Sequence, residues 1–304
     1  MKIMNIGSLN IDYVYRVDDF VRPGETKASK SRSVFAGGKG LNQSIAAARA
    51  GISVFHAGAV GYDGTFLKTI LEQSGVRTDY LQEIDATSGH TIIQVTDNGQ
   101  NSILLYGGSN QSLTKAYIDR VLSACTGKDI VLLQNETNLT DYIISSAYDH
   151  GVPVAFNVSP LDGKALGCPI EKVKYIIVNE LEGKALVGGE TYREILANLS
   201  RKYPDSDIVM TVGKCGVLYW SREQSLSVKA APVEDKIRDT TAAGDTFLGY
   251  YLASILQKRG VKEALVRASA ASALAIQREG AAPSIPLAGE VDQEIIDLGP
   301  CENW

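Results

Sequence analysis

Short apolar runs that alternate with longer amphipathic segments constrain the fold of this chain more than any other feature. The runs predict buried strands, and segments with apolar residues three and four positions apart predict helices. Their alternation is typical of βαβ units and a mainly parallel sheet. The predicted strands are Ile3–Gly7, Ser53–Val60, Ile130–Gln134, Val154–Val158, Tyr175–Val178 and Ile208–Val212. The predicted helices are Gly40–Ala50, Thr65–Gln73, Thr140–Asp149, Thr191–Lys202, Asp245–Gln257 and Val261–Gln277.

Two stretches depart from this rhythm. Asp12–Phe35 and Thr87–Tyr106 alternate apolar and polar residues with a period near two, and turn signals lie inside them at Arg22-Pro23-Gly24 and Asp97-Asn98-Gly99. They predict half-exposed antiparallel ribbons attached to the parallel sheet. Such a small sheet can cover a cleft as a lid, pair with a second subunit, or extend the sheet edge without moving.

The size and charge of the chain restrict its class. Its 304 residues, 44% of them hydrophobic and 21% charged, fit one globular α/β domain over residues 1–304. The formal net charge of −5 disfavours nucleic acid and anionic membrane as partners, because both require a basic surface. No apolar run approaches the roughly 20 residues that span a bilayer. With no signal peptide recognisable at the N-terminus and no CxxC pair, we expect a cytoplasmic protein with reduced thiols.

The most informative segment runs from Asp239 to Phe247, where small residues stand directly before an amphipathic helix. Small side chains let a ligand approach the backbone, and the first N–H groups of a helix lack internal partners. A segment of this kind can bind an anion. Asp245 lies in the first turn of the following helix, where a phosphoryl group would arrive. Phosphoryl transfer needs positioning, charge stabilisation and a group that deprotonates the attacking hydroxyl. The alternative is that Gly244 opens the helix and Asp245 only caps it.

A second glycine-rich turn, Gly37–Asn42, also precedes a helix. It is not a P-loop, since GxxxxGK[ST] is absent from the chain. It brings Lys39 and Asn42 beside bare backbone, a mixture that suits a ligand with many hydroxyls, although a tight turn with a solvated lysine fits the spacing equally well. Asn10 and Asp12 stand two residues apart, so on an extended segment their side chains share one face.

Two further segments follow predicted strands, at the edge where ligands bind in open parallel sheets. Asn179 and Glu182 stand three residues apart at a helix start, where they can position the waters of a magnesium ion or form an ordinary helix cap. Thr211–Gly216 is a strand followed by a glycine turn that can accept a nucleotide.

Together these segments resemble the ribokinase-like (PfkB) family of carbohydrate kinases, and its ribokinase branch in particular. DTTAAGDTF, which ends at Phe247, matches the family's C-terminal signature DTxGAGDxF, with Ala242 where glycine is usual. FAGGKGLNQSIAAARAG resembles the N-terminal signature. GSLNID, RPGET, NELE, TVGKCGV and REGAAPSIP occur in the family's order and at its spacings, so the resemblance extends from residue 3 to residue 286.

The resemblance implies a ribokinase-like three-layer α/β fold, in which helices flank a mainly parallel central sheet and the two ribbons form a small β-sheet lid. It implies an ATP-dependent sugar kinase that phosphorylates a primary hydroxyl of a pentose, with ribose as the first candidate. The alternatives within the family are another sugar, a sugar acid or a nucleoside. A sugar-binding protein without catalysis on the same scaffold is the alternative from a different class.

Residue by residue, the resemblance implies that Asp245 is the base and that the N–H groups of Ala242, Ala243 and Gly244 form the anion hole. Because Ala242 would contribute only its N–H, we expect its departure from glycine to change little. The positions that match sugar contacts are Asn10, Asp12, Gly38, Lys39, Asn42, Glu136 and Asp245. The positions that match nucleotide contacts are Asn179, Thr211, Gly213, Lys214, Gly216, Gly244 and Ser269.

The resemblance also implies two metal sites and a quaternary structure. Asn179 and Glu182 match the family's NxxE motif, which implies Mg²⁺ held through water. The positions that match the monovalent-cation site, and so imply activation by K⁺, are Asp239, Thr241, Ala275, Arg278, Gly280 and Ser284. Ribokinases usually dimerise through their ribbons, so a homodimer through the lid is implied.

One departure bears on the substrate. Gly89-His90-Thr91-Ile92-Ile93 replaces the small apolar pattern that is common in ribokinases. If His90 or Thr91 points to the inner face of the lid, the pocket is more polar than a ribose pocket. A different hydroxyl pattern or a larger sugar is then expected.

Overall fold

The computed structural model describes residues 1–233, 237–296 and 298–301, so the last three residues of the predicted 1–304 domain lie outside the described residues. The strands are β1 Ile3–Ile6, β2 Asn10–Val17, β3 Ser31–Gly37, β4 Val54–Val60, β5 Arg77–Glu83, β6 Gly89–Thr96, β7 Asn101–Tyr106, β8 Ile130–Gln134, β9 Val154–Asn157, β10 Tyr175–Asn179, β11 Asp207–Thr211, β12 Val217–Trp220 and β13 Ser225–Val228. The α-helices are α1 Lys39–Arg49, α2 Thr65–Gln73, α3 Lys115–Leu122, α4 Thr140–Asp149, α5 Gly163–Leu166, α6 Glu180–Val187, α7 Tyr192–Lys202, α8 Ala243–Leu256, α9 Val261–Ala275 and α10 Ala288–Gln293.

A nine-stranded sheet in the order β13-β12-β11-β10-β9-β8-β1-β4-β5 forms the centre of the molecule. The strands from β11 to β5 pair in parallel, and β12 and β13 add an antiparallel edge. Successive residues of β1 point to opposite faces, so Ile3 packs into one hydrophobic core and Met4 into the other. Helices α1, α8 and α9 cover the first face, and α3, α4 and α7 cover the second. The predicted three-layer α/β fold is confirmed.

The predicted strands and helices are all present, and their ends differ from the structure by at most two residues. The elements that were not predicted include α3, α6 and β12 as well as the edge strands β5 and β13. Strand β5, for example, is an edge strand whose residues are mostly half-exposed, so its composition (RTDYLQE) carries little apolar signal. The helices of the described residues include none with the length and apolar character required to cross a membrane.

The two ribbons were predicted to be antiparallel and to form a small β-sheet beside the parallel one, and this small sheet is confirmed. They form a separate four-stranded sheet in the order β3-β2-β6-β7. Each ribbon is antiparallel within itself, but the central pair, β2 and β6, is parallel. The reason is topological: β2 follows β1 and β6 follows β5, so both chains leave the same edge of the main sheet in the same direction.

Candidate active site

The turn before α8 is linked to α9 by a hydrogen bond. Its first helical residue, Ala243, accepts a hydrogen bond at its carbonyl oxygen from Ser272 Oγ of α9 (3.0 Å). The Ala243 N–H donates a longer bond, 3.3 Å, to Thr240 O, so a phosphate oxygen would have to compete for it. Within the described part of the chain, the N–H groups of Gly244 and Asp245 have no hydrogen-bond acceptor. These two donors are therefore the ones that the turn leaves open to an anion.

Ala242, the residue that caps this helix, adopts a left-handed conformation (φ 60°, ψ 10°). An L-residue with a Cβ pays roughly 1–2 kcal/mol there, and glycine does not. The departure from glycine at this position was expected to change little, because only the N–H is used. The structure shows that the side chain matters for another reason, since the turn holds it in strain.

Asp245 faces away from the turn towards α1. Asn42 Nδ2 donates to its Oδ2 (3.0 Å) and Gln43 Nε2 donates to its Oδ1 (2.8 Å). Burial raises the pKa of this carboxyl, whereas the Lys39 ammonium and the two amide donors lower it. The carboxylate is therefore fixed in orientation and partly desolvated, as a general base requires.

Lys39 and Glu136 form an ion pair beside Asp245. Lys39 Nζ lies 3.6 Å from Glu136 Oε1, and the Lys39 N–H donates to Glu136 Oε2 at 3.0 Å. Ser8 Oγ also donates to Oε2. Burial lowers the pKa of Lys39, but the carboxylates of Glu136 and Asp245 outweigh it and raise that pKa overall. The lysine stays charged within a nearly closed acidic cluster.

Asn10 and Asp12 lie on strand β2 with their side chains on one face, as predicted. Asn10 Oδ1 accepts from Asn110 Nδ2 (2.8 Å), and Asp12 Oδ1 accepts from Thr91 Oγ1 (2.6 Å). Burial raises the pKa of Asp12 to about 6, with Glu136 adding to the rise and Thr91 opposing it.

Glycines make room for these polar groups. A Cβ on Gly37 would lie 1.9 Å from Asp12 Oδ2, and a Cβ on Gly89 would lie 2.5 Å from Asn10 Oδ1. Gly38 has φ +93°, and its backbone passes close to Ser8 and Asn10. The predicted sugar-contacting positions therefore converge in one polar cluster beneath the four-stranded sheet.

A cavity of about 650 Å³ opens on the other side of the turn. All seven positions predicted to contact the nucleotide line it: Asn179, Thr211, Gly213, Lys214, Gly216, Gly244 and Ser269. Its remaining walls are largely apolar and include Ile237, Phe247 and Ile276, which were not predicted. Apolar residues carry no local chemical signal, so a motif search could not find them.

Asn179 and Glu182 form a capping box at the start of α6. Glu182 N–H donates to Asn179 Oδ1 (2.8 Å), and Asn179 N–H donates to Glu182 Oε2 (2.9 Å). The helix-cap alternative is therefore realised. It does not remove these residues from a magnesium site, because the box uses one carboxylate oxygen and Asn179 also lines the cavity.

The loops predicted to hold a monovalent cation lie side by side. Asp239 accepts at Oδ1 from Thr241 N–H (2.9 Å) and at Oδ2 from Gly280 N–H (3.0 Å), although Asp239 and Gly280 are far apart in sequence. Ser284 is fully buried in the same region. The Arg278 side chain pairs with Glu290, so only its main chain is available to a cation. Asp239 thereby joins the two loops in which the cation-binding positions were predicted.

Three residues next to the site were missed as functional candidates. Gln43 and Asn110 contact Asp245 and Asn10, and Ser8 contacts Glu136. Gln43 follows Asn42 in the sequence, and on a helix start both can reach one partner, so spacing alone could have indicated it.

Of the two residues left open in the lid, Thr91 points inward to Asp12. His90 packs its ring against Tyr106 on the other face, with centroids 5.0 Å apart.

Comparison with known proteins gives matches along nearly the whole chain. A family model described as pfkB family carbohydrate kinase matches residues 1–288. A ribokinase from Bacillus subtilis is 34% identical over 292 residues, covering 95% of this chain and 97% of its own. The crystal structure of a ribokinase from Cryptococcus neoformans in complex with ADP has a TM-score of 0.84 at 32% identity, covering 96% of this chain and 99% of its own. The structure of Arabidopsis thaliana ribokinase complexed with ribose and ATP has a TM-score of 0.84 at 25% identity, covering 96% and 98%.

Proposed function

The chain belongs to the pfkB family of carbohydrate kinases, and we propose that it transfers the γ-phosphate of ATP to a primary hydroxyl of ribose. Family membership makes it a phosphotransferase with an alcohol group as acceptor. Ribose and ATP are the ligands of the similar Arabidopsis enzyme, and both suit the two halves of the site.

One observation carries this proposal: the turn before α8 separates the two halves. Ala243 and Gly244 line the 650 Å³ cavity, whereas the next residue, Asp245, bonds to Asn42 and Gln43 in the polar cluster. A nucleotide in the cavity would therefore present its terminal phosphate to the N–H groups of the turn. A sugar in the cluster would present a hydroxyl to the carboxylate.

Asp245 accepts the proton of the attacking hydroxyl in this mechanism. Its carboxylate is already held by two amide donors, so little reorganisation is needed when the hydroxyl arrives. The N–H groups of Gly244 and Asp245 itself stabilise the charge that develops on the phosphoryl oxygens, with weaker help from Ala242 and Ala243. The four-stranded sheet covers the cluster and excludes water that would otherwise hydrolyse ATP.

The polar cluster provides both donors and acceptors for sugar hydroxyls. Asp12 and Glu136 accept, Lys39 donates, and Asn10 and Gly38 complete the surface. Asn42 Oδ1 is buried without a hydrogen-bond partner among the described residues. A buried acceptor without a donor is costly, so a sugar hydroxyl donating to it would contribute to binding.

Thr91 makes a different substrate the second candidate. Its hydroxyl occupies one oxygen of Asp12, so fewer lone pairs of that carboxylate remain for adjacent sugar hydroxyls. A sugar with a different hydroxyl pattern would lose less at this position than ribose. Sugar acids fit poorly, since Asp12 and Glu136 would repel a carboxylate.

Asn179 and Glu182 would hold Mg²⁺ through water, with Glu182 Oε1 free of the helix cap. Bound there, Mg²⁺ would neutralise charge on the nucleotide phosphates. Carbonyl groups of Thr241, Ala275, Arg278, Gly280 and Ser284, with Asp239, would hold K⁺. Because Asp239 also joins this loop to the turn region, cation binding there would order the anion site.

The exposed face of the four-stranded sheet supports a homodimer. Strand β7 is exposed along its length, and Leu104 is 68% exposed. The strand register places Ile92 of β6 and Val34 of β3 on the same face as Leu104, so the three side chains form one exposed apolar surface. Pairing two copies would bury it. Gel filtration with light scattering should give about twice the chain mass, and Leu104→Glu should shift the protein towards the monomer.

We also assign the reaction to the cytoplasm, where ATP is present and thiols such as Cys168 and Cys301 stay reduced.

The proposed function is tested by coupled ADP release with ATP and a panel of ribose, 2-deoxyribose, other pentoses, hexoses and nucleosides, each with Na⁺ or K⁺. We expect sugar-dependent ADP release that is fastest with ribose and higher in K⁺. Sugar binding without sugar-dependent ADP release would instead identify a silent binding protein.

A further inference from the structure

A buried chain of amides leads from the carboxylate of Asp245 into the centre of the sheet. Gln43 Nε2 donates to Asp245 Oδ1 (2.8 Å), Gln134 Nε2 donates to Gln43 Oε1 (2.7 Å), and Gln134 Nε2 also donates to Asn5 Oδ1 (3.0 Å). Gln43, Gln134 and Asn5 are at most 1% exposed. They lie on α1, β8 and β1, and the mechanism above uses Gln43 only as a donor to Asp245 and does not use Asn5 or Gln134.

The direction of this chain is set at its far end by a backbone carbonyl. Asn5 Nδ2 donates to Gly40 O at 2.8 Å, and a carbonyl oxygen can only accept. Asn5 must therefore point its Oδ1 towards Gln134, and Gln134 must donate to it from Nε2. Gln43 must then accept from Gln134, which leaves its nitrogen facing Asp245.

A branch of the same cluster gives the same orientation independently. Asn5 Nδ2 also donates to Ser44 Oγ (2.8 Å), Ser44 bonds to His56 Nδ1 (2.8 Å), and His56 Nε2 bonds to Gly7 O (3.2 Å). Burial lowers the pKa of His56 to about 4, so the ring is neutral. Because Gly7 O accepts, the proton lies on Nε2, and Nδ1 accepts from Ser44. The serine oxygen is then left to accept from Asn5.

Close backbone packing keeps the amides from rotating. A Cβ on Gly7 would lie 2.5 Å from Gln134 Oε1 and 2.9 Å from Asn5 Oδ1, so the glycine backbone lies directly against the chain. Any flipped amide would also place two oxygens or two N–H groups face to face, which burial makes unfavourable.

We propose that Asn5, Gln134 and Gln43 form a one-way hydrogen-bond chain that fixes an N–H donor on Asp245 and so positions the base for phosphoryl transfer. These are positioning residues, and the inference rests on the kinase function proposed above. A donor held on Oδ1 favours the ionised carboxylate. That donor therefore lowers the pKa of Asp245, as the Lys39 ammonium does, whereas burial and the Glu136 carboxylate raise it.

The test is the pH dependence of kcat at saturating sugar and ATP, which reports groups in the substrate complex. Gln134→Met keeps the side-chain volume but removes the donor to Gln43 Oε1. The Gln43 amide can then rotate and turn its oxygen towards Asp245. We expect kcat at neutral pH to fall about tenfold. The apparent pKa of the acid limb of the profile should rise by about one unit. The KM values for sugar and ATP should both stay within about threefold of the wild type. Tyr117→Phe is the control, since its buried hydroxyl bonds to Tyr80 O on the other face of the sheet; it should leave the limb unchanged.

The isosteric Gln43→Glu variant provides a second test if Gln134→Met does not fold. It replaces the donor by a carboxylate and should move the acid limb further upward than Gln134→Met. If either variant folds and keeps both the wild-type kcat and the wild-type apparent pKa of the acid limb, the positioning role is overturned. Failure of the wild-type protein to release ADP with any sugar would overturn the kinase proposal instead, so the two failures are distinguishable.

Discussion

The two halves of the active site are built in opposite ways. On the sugar side, charged and amide side chains form a nearly closed cluster in which Lys39, Glu136 and Asp12 are already paired. On the nucleotide side, a cavity of about 650 Å³ is open and has largely apolar walls, to which glycine turns contribute backbone. The two halves meet at one turn, between Gly244 and Asp245.

This difference indicates where selectivity and reactivity reside. Buried polar groups that are fully matched by one substrate and left unpaired by another discriminate strongly. An apolar cleft with backbone donors binds through area and phosphate charge, and is more tolerant. Changes on the sugar side should therefore act on catalysis and substrate choice, and changes on the nucleotide side mainly on affinity for ATP.

The largest effect is expected at the meeting point. Asp245→Asn keeps the shape and the contact with Asn42 but removes the base, so kcat should fall by roughly 10²–10⁴-fold. Titration calorimetry should show nearly unchanged binding of the nucleotide, because Asp245 does not line the cavity. A variant that retained more than about a tenth of wild-type kcat would show that another group accepts the proton.

A smaller effect on the sugar side is expected from Asp12→Asn. Loss of a charged acceptor should lower kcat/KM for the sugar by roughly 10–100-fold with little change in KM for ATP, since hydrogen bonds to charged groups contribute about 1.5–3 kcal/mol each. In the wild-type enzyme, kcat/KM for the sugar should fall below a pH of about 6, where Asp12 becomes protonated. A profile that is flat through this range would contradict the role of Asp12.

The Asp12 carboxyl affects stability in the opposite pH direction: activity needs its ionised form, whereas the folded state favours its protonated form. Because its folded pKa of about 6 lies above the ordinary 3.8, its contribution to stability is full below pH 4 and is lost as the pH rises through 6. The loss is about 3 kcal/mol, since each pKa unit corresponds to about 1.4 kcal/mol. Without sugar, Asp12→Asn should therefore be more stable than the wild type at pH 8 in urea unfolding. The two should differ least near pH 4.

On the nucleotide side, Ile237→Ala should raise KM for ATP about fivefold and leave KM for the sugar unchanged. Ile237 is 60% exposed and lines the cavity, so its loss removes part of an apolar wall worth about 1 kcal/mol without disturbing the core. Initial rates at varied ATP and varied sugar separate the two constants. An equal rise in both would argue against two independent halves.

The smallest effect is expected at the strained cap. Ala242→Gly removes a Cβ from a left-handed residue and should stabilise the protein by up to about 1 kcal/mol. The matched variant Ala243→Gly, one residue later in the helix, should destabilise it by roughly 0.5–1 kcal/mol. Thermal unfolding of the two variants checks the sign. Destabilisation by both would mean that Ala242 is not strained.

Local features of the site could be predicted from the sequence, and features that depend on distant neighbours could not. Asp245, Lys39 and Asn42 stand in short segments whose own residues indicate a ligand turn. The strands and their helices follow from apolar periodicity, because a strand such as Ile130–Gln134 is covered on both faces.

The parallel pairing of β2 with β6 depends on how two separate chain segments leave the main sheet, which periodicity does not encode. The amides of Asn5 and Gln134 look like ordinary strand residues until folding brings them to Gln43. Likewise, the strain at Ala242 arises because a residue with a Cβ adopts a positive φ, and the residue type alone does not reveal that angle.

The most direct measurement is a crystal structure of the protein with ribose and a non-hydrolysable ATP analogue. We expect the terminal phosphate to lie about 3 Å from the Gly244 nitrogen, and the primary hydroxyl of the sugar to lie about 3 Å from an Asp245 carboxylate oxygen. A terminal phosphate bound elsewhere in the cavity, with Asp245 still bonded only to Asn42 and Gln43, would contradict the proposed mechanism.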